Sequence, residues 1–348
     1  MNAPFNSMSC HKTLQQGESG RASPSAAFSL IELLISLAVL SVLVVLAASL
    51  IGAIQDVWKR SSARTEQFRS ARQALETISS RLSQATLNPY WVVQTNANGV
   101  PVRYERQSDL RFLAGQAPTL TALAQPGGAL FFQAPTGYSA NGTSRLDAAL
   151  NTWGYFVEYG PDSSRPPFIS TSIIPTKNRF RLVEFIDPSD GLTVFSKTSG
   201  NSAYNGKDWF TAPLATAGNR RVLADNIVAF VALPRLSTSE DSTGTVLSPT
   251  YIYDTTTSSA IPKLNPKNQL PPIVDIAVVA ISETTANRIT WGNSPPNFGT
   301  SDLFKEATKM DADLETLRTN IEKMNLSARV FRTSIPISAA RWSTEQNN

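Results

Sequence analysis

Between Phe28 and Ile54 the chain carries one ionisable side chain, Glu32, and no proline. A carboxylate held in hydrocarbon costs roughly 2.5–3.5 kcal/mol at the centre of a spanning helix and less near its end. An acid in this setting therefore calls for a cationic partner. The side chains that carry most acid–base, thiol and metal chemistry are scarce. Cysteine and histidine occur once each, as Cys10 and His11, both ahead of the apolar run. One cysteine excludes an intrachain disulfide, and one cysteine with one histidine cannot make up a structural zinc site of four such ligands. No phosphate-binding glycine loop, dinucleotide fingerprint or His-Glu-x-x-His run is present. A serine nucleophile would need a lysine or carboxylate base, and no motif offers one. Paired carboxylates could be drawn only from Asp109, Glu158, Glu184, Asp187 and Asp190, which scatter over strands and turns and read as surface acids. Asp311, Asp313 and Glu315 lack the glycine and the distal glutamate of a calcium loop; acids of this kind favour the first turns of a helix. Trp153, Trp209, Trp291 and Trp342 suit sheet and core packing before a ligand surface. No cofactor or metal is expected.

The element that holds Glu32 is long enough to cross a bilayer, which takes about 20 apolar residues in a helix. An ordinary single-pass anchor meets the same description. A secretory signal peptide cleaved near Ala47, Ala48 and Ser49 does not, because its apolar core is only about 7–15 residues long. After Trp58 apolar residues recur at Phe68, Ala71, Leu75, Ile78, Leu82 and Ala85, the spacing of an amphipathic helix. Nothing breaks this pattern until Pro89, and Asn88 suits a helix end. Gly52 is a weak point within it.

Past Pro89 the period changes to two. Asp109–Leu113, Ala129–Gln133, Thr152–Tyr159, Arg179–Ile186, Leu192–Ser196, Ile227–Leu233, Ile273–Ser282 and Ala328–Ile335 read as strands. In the third, Trp153, Tyr155, Val157 and Tyr159 share one face. Ile273–Ser282 is apolar apart from Asp275, which places it centrally, covered on both sides. Connections rich in Pro, Gly, Ser, Thr and Asn favour antiparallel pairing. One late helix is predicted from Ser301 to Met324, and Leu236–Pro272 reads as a long, exposed, flexible loop. The expected fold class is α+β: a long N-terminal helix, half transmembrane and half amphipathic, packed on an antiparallel β-sheet head.

The formal net charge of +4 is no nucleic-acid signature. From Asp56 to Arg81 six basic residues (Lys59, Arg60, Arg64, Arg69, Arg72, Arg81) face three acids (Asp56, Glu66, Glu76), so most of the excess is local to the stem. A charged helix face of this kind is ordinarily solvated.

The run Ala27-Phe28-Ser29-Leu30-Ile31-Glu32-Leu33 resembles the class III signal of type IV pilins and of the pseudopilins of type II secretion. The resemblance implies a cut by prepilin peptidase between Ala27 and Phe28, N-methylation of Phe28, and Glu32 at the fifth mature position. There Glu32 would pair with the terminal amine of a neighbouring subunit, relieving two buried ions at once. The family usually has glycine before the cut; here Ala27 stands there. Cys10 and His11 then leave with the leader. The implied organisation is a cytoplasmic leader over 1–27, a transmembrane half-helix over 28–54, a stem over 55–88 and a periplasmic head over 89–348. Lys12 and Arg21 precede the span while Lys59, Arg60 and Arg64 follow it, which by charge alone would favour the opposite orientation; a prepilin leader must face the cytoplasm to be cut. Implied partners are other pilins or pseudopilins, the peptidase, and an inner-membrane assembly platform. Ala224–Phe230, Leu270–Ile276 and Val330–Arg332 resemble J-type minor pseudopilins. Leu82–Trp91 with Pro336–Trp342 is similar to the pilin-like Verru_Chthon cassette protein C family. The expected function is that of a non-enzymatic minor pilin or pseudopilin. A membrane-anchored periplasmic binding or adhesion protein is the alternative, and an anchored hydrolase the remotest reading.

Overall fold

The computed structural model describes residues 29–142, 148–161, 176–195, 206–287 and 292–343, apart from the side chains of 59–60, 62–68 and 284–285. The chain divides into two compact units, Met1–Trp58 and Lys59–Asn348. Helix α1 covers Leu30–Leu82. Its first part, Leu30–Trp58, is long and apolar enough to cross a membrane, and none of it is buried within the protein.

In the second unit the chain is α+β, as the change of period predicts. Among the described residues eleven strands follow α1: β1 (Tyr90–Thr95), β2 (Pro101–Gln107), β3 (Phe112–Gln116), β4 (Gly128–Pro135), β5 (Leu150–Pro161), β6 (Asn178–Asp187), β7 (Arg220–Asp225), β8 (Ile227–Arg235), β9 (Tyr253–Asp254), β10 (Ile273–Ile281) and β11 (Ala328–Pro336). The short helices α2 (Ala117–Leu120), α3 (Asp208–Leu214) and α4 (Glu283–Ala286) sit between them, with α5 (Met310–Lys323) before the last strand. The strands form a hairpin β1-β2, a three-stranded sheet β11-β10-β8 and a six-stranded sheet β7-β6-β5-β4-β3-β9. Every pairing is antiparallel.

Alternation along each strand sends successive side chains to opposite faces. On one face of the six-stranded sheet lie Phe112, Leu130, Phe132, Trp153, Tyr155, Val157, Leu182 and Ile186. This face shares a core with the three-stranded sheet and with a stripe of α1, Ala71, Ala74, Leu75, Ile78 and Leu82, followed by Ala85. Leu75, Ile78 and Leu82 each gain about 1.5–3 kcal/mol from burial. On the opposite face Leu113, Phe131, Phe156, Val183 and Phe185 meet Trp209, Phe210 and Leu214 of α3. Phe131 stacks on Phe210 with ring centroids 4.0 Å apart. As predicted, Ile273–Ile281 is the central strand of its sheet, and Ile276–Ile281 is wholly buried.

Several expectations are corrected. The helix ends at Leu82, not Asn88, because the chain turns to join the sheet: Thr86 N–H donates to Gln133 O at 2.9 Å. Asn88 instead accepts the N–H groups of Asp109 and Leu110 on its side-chain oxygen. The first predicted strand is displaced to Phe112–Gln116, since Asp109 binds Asn88 and the Tyr90 hydroxyl. Ser189–Gly191 and Thr193–Phe195 are 3-10 turns where Leu192–Ser196 was expected as a strand; Asp187 accepts the Thr193 N–H and folds the chain back, and Ser196 lies outside the described residues. The late helix begins at Met310. Phe304, at φ +60°, breaks the pattern, and its N–H is taken by the Asp313 carboxylate at 2.8 Å. Segment 236–272 is not simply an exposed loop: Leu247, Tyr251, Tyr253 and Leu270 are buried, and β9 within it forms the edge of the six-stranded sheet.

The β1-β2 hairpin went unpredicted. Its base is held by Lys267 on Glu105 and by Asn268 Nδ2 donating to Arg106 O at 2.7 Å. The C-terminal residues return to the stem: Ser338 N–H donates to Ser83 O at 3.0 Å.

Gly154 of β5 faces Phe131, and a Cβ built there would lie 2.4 Å from that ring and 3.1 Å from Phe185. Gly154→Ala is expected to cost about 1–3 kcal/mol through overpacking, read as a lowered thermal midpoint of the full chain.

Candidate functional site

Two places on α1 carry charge where charge is expensive. At the start of the helix Ser29 acts as the cap: its Oγ accepts the Glu32 N–H at 3.3 Å, and its carbonyl accepts the N–H groups of Glu32 and Leu33. The Ser29-x-x-Glu32 spacing is that of a capping box, and an acid in the first turn is favoured by the helix dipole. This local role for Glu32 was not read from the sequence, although both residue types signal it. Beyond it Leu30–Trp58 exposes apolar side chains on every side, Leu33, Leu37, Leu40, Leu43 and Ile51 among them. A helix apolar all round belongs in lipid or among other helices. Ala27 and Phe28 lie outside the described residues.

The second place is within the head. Glu184 points from the centre of β6 into the core and is 3% exposed. Arg81, in the last turn of α1, pairs with Glu184 Oε1, and the Tyr155 hydroxyl donates to the same oxygen at 3.2 Å. The Arg81 guanidinium also lies 3.8 Å from the centroid of the Trp153 ring. Burial lowers the pKa of Arg81 and pushes the Tyr155 hydroxyl well above the ordinary phenol range, so that Tyr155 remains a donor. A carboxylate with a guanidinium, a phenol and an indole around it makes a structural clamp. The sequence showed its parts separately: Arg81 among stem charges, Glu184 among scattered acids, Trp153 and Tyr155 on one strand face.

The remaining acids serve local bonds. Glu158 meets Arg220 at 3.3 Å. Asp187, its pKa raised by burial, accepts the Thr193 N–H at 2.8 Å. Asp190 accepts the N–H groups of Ala140 and Asn141. Asp311 pairs with Arg332 and Glu315 with Arg318. Among the described residues no cluster of three or more His, Cys, Asp or Glu is arranged to hold a metal. Trp153 and Trp209 are buried core residues, Trp342 packs on the core from its edge, and Trp291 lies outside the described residues.

A long apolar N-terminal helix followed by antiparallel sheets is consistent with a pilin-like, membrane-anchored protein. Residues 23–48 match the family described as the prokaryotic N-terminal methylation motif. The match places a type IV pilin-like prepilin signal across the start of α1, and such a signal implies processing by prepilin peptidase and assembly with other pilins. A comparison with curated proteins finds no match.

Removing Arg81 alone strands a buried carboxylate, a change that costs about 3–5 kcal/mol in buried pairs. With Arg81 about one quarter exposed, Arg81→Met is expected at the low end of that range in urea unfolding. Arg81→Met/Glu184→Leu should recover most of the loss, because replacing both charges with apolar groups is often neutral. A single variant as stable as the wild type would show that the pair does not secure the stem.

Proposed function

We propose that this chain is a minor pilin or pseudopilin: a single-pass inner-membrane subunit, cut between Ala27 and Phe28, N-methylated on Phe28 and assembled into a periplasmic filament. The observation that carries this reading is the placement of Glu32, a lone acid inside a methylation motif and near the start of an apolar helix whose described residues are exposed. A free terminal amine from an adjacent subunit answers its charge. The leader faces the cytoplasm, the head is periplasmic, and an inner-membrane platform extracts the subunit. The role is structural, not enzymatic.

A minor place in the filament follows from size, since a head of this bulk crowds a tight helical array. Glu32 favours a J-like role over the tip subunit of the K type, which typically lacks an acid there. The short likenesses to J-type pseudopilins point the same way, and the likeness to the Verru_Chthon cassette protein C family supports the pilin-like class. The hairpin supports lateral contacts by the head: Trp91 is 53% exposed, Val102 65% and Tyr104 68%. Exposed apolar patches of this kind mark interaction surfaces.

Mass spectrometry of the mature protein should find N-methyl Phe28 as the first residue, and Ala27→Arg should leave residues 1–27 attached. An unchanged mature mass in that variant would refute the assigned cut. Glu32→Gln keeps a residue suited to the capping box while removing the charge. It should be processed normally yet fail to enter filaments; incorporation at the wild-type level would count against the amine pairing.

A further inference from the structure

We propose that a cavity at one end of the three-stranded sheet binds a neutral saccharide. The cavity measures about 620 Å³, within the range of about 300–1,000 Å³ typical of small-molecule sites. Asp275 of β10 and Ser334 of β11 line it together with Gly244 and its neighbours on one side and Ala307, Thr308 and the first residues of α5, Met310 and Asp311, on the other.

Asp275 is the one charged residue in the otherwise apolar strand Ile273–Ile281. The strand needs no acid there to be buried. Its carboxylate accepts Arg235 Nη1 and Ser334 Oγ, each at 2.6 Å. The opposite wall is built to fit: Gly244 stands at φ +57°, and a Cβ there would lie 2.7 Å from Arg235 Nη2. Arg235 Nε donates to Gly244 O at 3.2 Å. A second ion pair, Arg332 with Asp311, borders the same space.

The cavity thus presents two cations and two anions, each already neutralised by its neighbour. A ligand with net charge would give up hydration without meeting an uncompensated opposite charge. A neutral ligand dense in hydroxyls leaves both pairs intact. It accepts from the guanidinium N–H groups that Asp275, Gly244 and Asp311 leave free, and donates to the remaining carboxylate lone pairs. Thr308 and Ser334 add hydroxyls, while Leu233 and Met310 offer apolar surface to the C–H face of a sugar ring. This inference is independent of filament assembly.

The test is calorimetric titration of the full-length protein in a polyoxyethylene detergent, which carries no sugar. The probes are cellobiose and N,N′-diacetylchitobiose, with cellobiouronic acid and deacetylated chitobiose as their anionic and cationic counterparts. At least one neutral disaccharide should bind at about millimolar concentration or below, and its charged counterpart at least about tenfold more weakly. Thr308→Trp, at an exposed position on the rim, should fill the cavity and abolish binding with the thermal midpoint unchanged; Ser334→Ala should weaken it. Absence of binding by both neutral sugars, equal binding by a charged form, or wild-type binding by Thr308→Trp at an unchanged midpoint would each overturn the proposal.

Discussion

A carboxylate in the middle of a sheet is tolerable only when a cation reaches it, and Glu184 depends on Arg81 for that cation. The dependence runs both ways. Arg81 lies in the last turn of α1, so the pair fixes both the rotation and the axial position of the stem on the head. A helix turns about 100° per residue, so a one-residue slip would swing Ile78 and Leu82 out of the core while withdrawing the guanidinium from Glu184, Tyr155 and Trp153. Apolar contacts alone are forgiving about such slips; the buried ion pair is not.

One helix therefore obeys two sequence rules. Through Ile54 it exposes apolar side chains on all sides among the described residues. From Ala71 onward only a stripe is apolar, and that stripe is buried. The exposed charges Arg69, Arg72 and Glu76 are the expected complement of that stripe.

Much of this architecture was legible beforehand. Six strands of the head fall close to their predicted bounds because branched and aromatic residues alternate clearly in them, as in Leu150–Pro161 and Asn178–Asp187. What escaped has physical reasons. β9 is two residues long and exists only because β3 offers it an edge. β7 is half polar and only its Ala224 is buried, so it carries little periodic signal. The hairpin buries no residue fully on either face, so it carries no clear apolar–polar alternation. The late helix was overextended because Leu303 and Ala307 keep helical spacing although Phe304 leaves helical geometry. At the N-terminus the motif and its acid could be read directly, whereas the clamp could not, since its four residues come from three segments distant in sequence.

The return of Ser338 to the carbonyl of Ser83 ties the order of synthesis to the order of folding. The stem is made well before the group that completes its end. β10 likewise waits for β11 before its second edge is satisfied. Until Ala328–Pro336 has been made, the three-stranded sheet that shares a core with the stripe of the stem lacks its last strand.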